Sequence, residues 1–303
     1  MTETASLARP SWPAVWLAAA RPKTLMAALA PVAIGTALAW TDGGFHLLAA
    51  TCALLAAALI QIGTNFANDL FDHLKGADTA ERVGPVRVTS AGWVSAGTMK
   101  MATALVMGLA FASGLYLVWR GGWPILAIGL VSIALGVLYT ATRYALAYTG
   151  LADLVVFVFF GPIAVAGTYY VQALDVTTTA IVAGIAPGLL STALLVVNNL
   201  RDWREDKAAD KKTLIVRFGE GFGRAFLLTC IIGAALTPVL VVALSGGAGW
   251  GSLAACLILI PGWRTWQTAR RSEGRALLPI LGETARLLAL YGILFVPGWL
   301  LTA

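Results

Sequence analysis

Two stretches of this chain place amides and carboxylates at the spacing of a helical face. In Gln61-Ile62-Gly63-Thr64-Asn65-Phe66-Ala67-Asn68-Asp69-Leu70-Phe71-Asp72, the residues Gln61, Asn65, Asp69 (or Asn68) and Asp72 recur at three- and four-residue steps. Downstream, Asn198, Asp202 and Asp206 are spaced by four, with Asn199 and Asp210 beside them. Carboxylate and amide oxygens suit a hard divalent cation, and Mg²⁺ characteristically sits between one or two carboxylates and the phosphates of a substrate. Lys75, Arg82, Arg87, Lys211 and Arg217 lie next to these faces, where they can neutralise the phosphate charge left over. The chemistry implied is a Mg²⁺-diphosphate clamp.

A plainer reading makes these carboxylates solvated loop charges paired with neighbouring Lys and Arg. Asn and Gln at the ends of apolar runs weigh against it, because polar groups at membrane depth are costly unless they serve a function or a bundle interior. A third cluster, Tyr139, Arg143, Tyr144, Tyr148 and Asp153, follows later. Tyr144 and Tyr148 also fit an interfacial aromatic belt. Asp153 opens the apolar run 151–160, so it is expected to face a polar cavity or to pair with a cation such as Arg143.

The other candidates carry less chemistry. His46 and His73 have no companion at ligand spacing and read as structural. Cys52, Cys230 and Cys256 lie within apolar runs and imply neither a disulfide framework nor a zinc site. Glu283 and Arg286, three apart, are expected to form a helix-end pair.

The elements that position these groups must cross a bilayer. The chain is 59% hydrophobic and 12% charged, with a mean hydropathy of +0.81, far from a soluble composition. An all-α, polytopic membrane protein of nine transmembrane helices is expected, with spans near 24–40, 46–68, 99–119, 122–141, 151–171, 178–200, 224–244, 248–267 and 280–302. Residues 1–303 form a single domain, and 12–20 reads as a retained interfacial helix. The basic balance, +6 net, flanks the apolar runs and forms no stripe, so it marks membrane orientation and not a nucleic-acid partner.

Of 21 Lys and Arg, Arg120 alone falls at the short joints 41–45, 120–122, 173–177 and 245–249. The positive-inside rule then puts the N-terminus and both aspartate stretches in the cytoplasm and the C-terminus outside, in a bacterial plasma membrane. Nine of fifteen carboxylates crowd into two cytoplasmic loops, which orientation does not require. The loops resemble one another over about a dozen residues, a faint sign of internal duplication.

The motifs N-x-x-N-D-x-x-D, from Asn65 to Asp72, and N-N-x-R-D-x-x-x-D, from Asn198 to Asp206, resemble those of the UbiA superfamily of intramembrane prenyltransferases. The resemblance runs over nearly the whole chain. Within the superfamily, Arg21-Pro22-Lys23-Thr24-Leu25, Lys75-Gly76-Ala77-Asp78, Arg82-Val83-Gly84-Pro85-Val86-Arg87, Tyr148-Thr149-Gly150-Leu151 and Lys211-Lys212-Thr213-Leu214 are similar to the 1,4-dihydroxy-2-naphthoate polyprenyltransferases of menaquinone biosynthesis. Two departures stand out. The superfamily often has Tyr-x-x-x-Lys where this chain has Tyr139 and Arg143, and commonly has Gly before Lys where Asp210 precedes Lys211.

The resemblance implies transfer of a polyprenyl group from its diphosphate to a ring carbon of an aromatic acid, with loss of CO₂ and two Mg²⁺ ions as cofactor. It implies Asp69, Asp72, Asp202 and Asp206 as metal ligands, with Asn68, Asp78 and Asp210 as further candidates. Lys75, Arg82, Arg87 and Lys211 would assist departure of the diphosphate. Asn65 and Asn198 would orient it, and Tyr139, Arg143 and Asp153 would serve the acceptor. Other acceptors, 4-hydroxybenzoate, homogentisate or haem, and a transporter of a metal-phosphate species, are the alternatives.

Overall fold

The computed structural model describes residues 9–74, 86–141 and 150–303, with the backbone alone for 139–141. The described residues are helical, with no strand among them. In chain order the helices are α1 Trp12–Ala20, α2 Pro22–Thr41, α3 Leu47–Leu74, α4 Ala96–Gly121, α5 Trp123–Ala141, α6 Ala152–Phe159, α7 Pro162–Ala173, α8 Thr178–Ala183, α9 Ile185–Ala208, α10 Leu214–Leu244, α11 Leu259–Arg271 and α12 Leu278–Thr302. A 3₁₀ segment, Trp250–Ile258, precedes α11.

Among the described residues seven segments are long and apolar enough to cross a bilayer: α2, α3, α4, α6 with α7, α8 with α9, α10, and Gly274–Thr302. The expected span 122–141 is a shorter apolar helix, Trp123–Leu138. The expected span 248–267 is divided between the 3₁₀ segment and α11. There Gly251 lies so close to α12 that a Cβ on it would stand 2.6 Å from the Gly298 carbonyl oxygen, a backbone approach that a side chain would prevent.

Two further spans expected to be continuous are broken, and their breaks touch. α6 gives way to α7 at Gly161 and α8 to α9 at Gly184. A Cβ on Gly184 would stand 2.5 Å from Pro162 Cα, and one on Gly161 would stand 2.6 Å from the Gly184 carbonyl oxygen. Interrupted helices in membranes persist where neighbouring backbone covers the break, and glycine permits that approach.

α2, α9, α10 and α12 supply the main core, built around Ile34, Leu38, Leu190, Leu227, Ile231, Leu288, Tyr291 and Phe295. α1 docks through Val15 and Ala19 onto Phe66, Leu70, Val88 and Met99, so it braces the end of α3. At the far end Arg120 donates to the Val171 and Gln172 carbonyls at 2.6 and 2.8 Å, satisfying the open carbonyls at the end of α7.

The polar ends of α2, α3, α9 and α12 share one side of the bundle. Asn65 of α3 bonds Thr24 at the start of α2, Lys23 lies against Gly282 of α12, and Arg204 of α9 pairs with Glu273 just before α12.

Candidate functional site

α3 runs on to Leu74 and α9 to Ala208, beyond the apolar stretches 46–68 and 178–200, so both polar faces are carried on continuous helix as their spacing requires. Asn65 Nδ2 donates to the Ala20 carbonyl at 2.9 Å and to Thr24 Oγ1 at 3.0 Å, and Gln61 Nε2 donates to the same hydroxyl at 3.1 Å. These bonds hold α3 to the kink at Arg21, whose left-handed φ of 51° joins α1 to α2.

Asp69 is 1% exposed. Its two oxygens accept the backbone N–H groups of Val88 at 3.0 Å and Thr89 at 2.9 Å. Expected among the metal ligands, it here anchors the turn that returns toward α4. Arg87, the residue before that turn, donates Nη2 to Asp72 Oδ2. Asp69 thus places the turn, and the turn places Arg87 on Asp72. Sequence reading had no signal for this step, because the partners are backbone amides.

On α9, Arg201 grips Asp202 with two bonds, Nε to Oδ1 at 2.6 Å and Nη2 to Oδ2 at 2.5 Å. Its Nη1 is buried without a hydrogen-bond partner. Arg201 stands inside the second motif and was passed over as a site residue. Lys211 Nζ donates to Asp206 Oδ1 at 2.7 Å. Asn198 and Asn199 are half-buried, and their side chains make no hydrogen bond among the described residues.

Asp210 is exposed and left-handed, φ 53°. Its N–H donates to the Lys207 carbonyl at 3.2 Å and the Lys211 N–H to the Asp206 carbonyl at 2.9 Å, the Schellman arrangement that stops α9. Glycine adopts this left-handed conformation without strain, and the geometry gives Asp210 a role as helix stop. Asp210→Gly is therefore expected to keep full activity and to stabilise by about 0.5 kcal/mol, and Asp210→Ala to destabilise by about 1 kcal/mol. Thermal unfolding in detergent, run beside an activity assay, checks both; a tenfold loss of activity in the glycine variant would restore Asp210 to the ligands.

Asp72, Asp202 and Asp206 thus each face a cation, and the hard oxygens fit Mg²⁺. Among the described residues no three His, Cys, Asp or Glu side chains converge as a ready cage. That suits an ion that keeps waters and takes the rest of its shell from phosphate.

A cavity of about 340 Å³ opens between α2, α3, α4, α5, α6 and α7. Gln61, Thr64, Asn65 and Asn68 line its polar end, and Ala53, Leu117 and Ile125 its far, apolar end. The lining includes Phe111, Leu115, Leu126 and Leu130, which are exposed on α4 and α5, so the cavity opens sideways to the lipid. From Asn68 to Ala53 the wall is about 22 Å long at the α-helical rise.

Asp153 does not line this cavity. It is buried at the start of α6 with Oδ2 lacking a hydrogen-bond partner, and its backbone carbonyl accepts from Thr192 of α9 at 3.5 Å. Lys75, Asp78, Arg82, Arg143, Tyr144 and Tyr148, and the side chain of Tyr139, lie outside the described residues. His46 Nδ1 accepts the Ala49 N–H at 3.3 Å, a local bond at the start of α3, and the three cysteines are free.

The family model described as the UbiA prenyltransferase family matches residues 28–281. The 1,4-dihydroxy-2-naphthoate octaprenyltransferase of Escherichia coli is 37% identical over 93% of this chain and 94% of its own length. The protein of the same name from Mycobacterium tuberculosis is 38% identical over 89% of this chain and 91% of its own. Among solved structures, a UbiA homologue from Archaeoglobus fulgidus bound to GPP and Mg²⁺ shares the fold with a TM-score of 0.64 at 16% identity, covering 93% of this chain and 99% of that one. Fold, motifs and relatives converge: the chain is a member of the UbiA prenyltransferase family.

Proposed function

We propose that the protein transfers a polyprenyl group from its diphosphate to 1,4-dihydroxy-2-naphthoate, with loss of the acceptor carboxylate as CO₂ and release of diphosphate. The observation that carries the donor half is the cavity: polar from Asn68 to Gln61, then apolar for about 12 Å to Ala53 and open to lipid. The acceptor rests on the relatives above, whose names specify that naphthoate.

Asp72, Asp202 and Asp206 would hold the metal, with Asp78 as a further ligand and Asp69 acting through the turn that it anchors. Mg²⁺, bound with the diphosphate, would supply the positive charge that makes this group able to leave. The chain's own cations add to it. Arg87, Arg201 and Lys211 are held on carboxylates, and exchanging carboxylate for phosphate oxygen leaves each of them paired throughout. Lys75 and Arg82 would join them. Asn198 would orient the diphosphate, Asn65, whose amide donates to Ala20 and Thr24, would fix the position of α3 beside it, and the apolar wall would keep water from the allylic cation. Asp153, whose carboxylate oxygen has no partner, would accept the phenolic proton, and Tyr139 and Arg143 would bind the acid.

The reading includes nine crossings, counting α5 and the segment 250–271, with the N-terminus and both motifs cytoplasmic and the C-terminus on the other face of a bacterial plasma membrane. An assay of the purified protein in nanodiscs with Mg²⁺, geranylgeranyl diphosphate and each aromatic acid in turn tests the activity. Prenylated naphthoquinol and diphosphate are expected from 1,4-dihydroxy-2-naphthoate. Turnover of 4-hydroxybenzoate with none of the naphthoate would reject this acceptor.

A further inference from the structure

Away from the motifs, α11 and α12 face each other across a groove of about 520 Å³. α11 contributes Pro261, Arg264 and Thr268, and α12 contributes Glu283, Arg286 and Leu290. The residues follow three- and four-residue steps on each helix, so each contributes one stripe. Arg264 and Arg286 are exposed on the groove and form no ion pair among the described residues, and the expected pair between Glu283 and Arg286 is not formed.

The depths of the two arginines match. Arg264 lies seven residues, about 10 Å, inside the end of α11, and Arg286 eight residues, about 12 Å, inside the start of α12. Both helix ends are on the side of the motifs, because Glu273 between them pairs with Arg204 of α9. The surroundings are apolar: Ile260, Trp263 and Ile293 are exposed nearby. Two unpaired guanidinium groups below a helix end, in a groove walled by Pro261 and Leu290, need an anion that also presents an apolar body.

We propose that this groove binds an anionic phospholipid, its phosphodiester between Arg264 and Arg286 and its acyl chain along Pro261 and Leu290. Two arginines and one glutamate leave the groove a single positive charge, which complements a headgroup of one net negative charge. A free phosphate ion would gain nothing from the apolar wall. Glu283 opposes the phosphate and limits the affinity.

Native mass spectrometry of the whole protein, delipidated in detergent and titrated with phosphatidylglycerol, phosphatidylethanolamine or inorganic phosphate, tests the site. One tightly retained phosphatidylglycerol is expected, bound about 30-fold more weakly by the Arg264→Gln, Arg286→Gln double variant, with prenyl transfer in lipid-free detergent unchanged. Glu283→Gln is expected to tighten binding about fivefold. Equal retention by the double variant would overturn the proposal, as would competition by millimolar phosphate. Preference for phosphatidylethanolamine, or weaker binding after Glu283→Gln, would make Glu283 the partner of a lipid ammonium and overturn it too.

Discussion

Asp72→Asn and Asp202→Asn are each expected to lower kcat/KM for prenyl transfer roughly 10³-fold, the scale of losing one preorganised charge from a site that stabilises a leaving group. Asparagine keeps the volume and one acceptor oxygen, so Arg87 and the buried Arg201 each retain a hydrogen bond, but each guanidinium loses its countercharge and the unfolding temperature is expected to fall as well. What is lost is the negative charge that can take up a divalent ion. The same variants are expected to need a higher Mg²⁺ concentration for half-maximal rate. Activity within tenfold of the parent would remove either residue from the site. Asp69→Asn is expected to differ in leaving the Mg²⁺ requirement unchanged, because that carboxylate is spent on the turn. One of its two backbone N–H bonds is replaced by an N–H facing an N–H, at a side chain that water does not reach, so the unfolding temperature falls along with activity.

Gly184→Ala is expected to destabilise the protein by about 3 kcal/mol or more, a large overpacking penalty. The backbone is not the reason, since Gly184 has φ −69° and ψ −18°, which alanine adopts readily. The obstacle is steric. The new methyl would stand 2.5 Å from Pro162 Cα, 2.6 Å from its nitrogen and 2.7 Å from the Gly161 carbonyl carbon, all main-chain atoms with no rotamer to change. Gly167→Ala is the control, in a helix where nothing lies within 4 Å, and there alanine is expected to be neutral or stabilising by about 1 kcal/mol. Unfolding in mixed detergent measures both, and equal midpoints would show that the two broken helices are free to separate.

The amide and carboxylate faces were legible in sequence because helical period and apolar depth act locally, and α3 and α9 do continue through them. Arg201 was in view inside the second motif, yet only the fold shows it gripping Asp202. The role of Asp69 was hidden, since a backbone amide has no letter in a sequence and Val88 lies nineteen positions away. The breaks at Gly161 and Gly184 depend on two distant segments touching, which hydropathy averages over. For the same reason the nine expected spans appear, among the described residues, as seven long apolar segments, one shorter helix and one segment that begins as 3₁₀. The rule for charges three apart also failed at Glu283 and Arg286, where both side chains line a groove instead of meeting each other.

The sideways mouth between α4 and α5 sets the units in which this protein meets its donor. A polyprenyl chain that arrives through lipid is counted per lipid molecule, not per litre. Empty bilayer added at constant total substrate is then a diluent, while the volume of buffer hardly matters. An acceptor that arrives from water would obey the opposite rule. A cell can therefore change the rate by altering membrane area alone, with the amounts of enzyme and of both substrates held fixed.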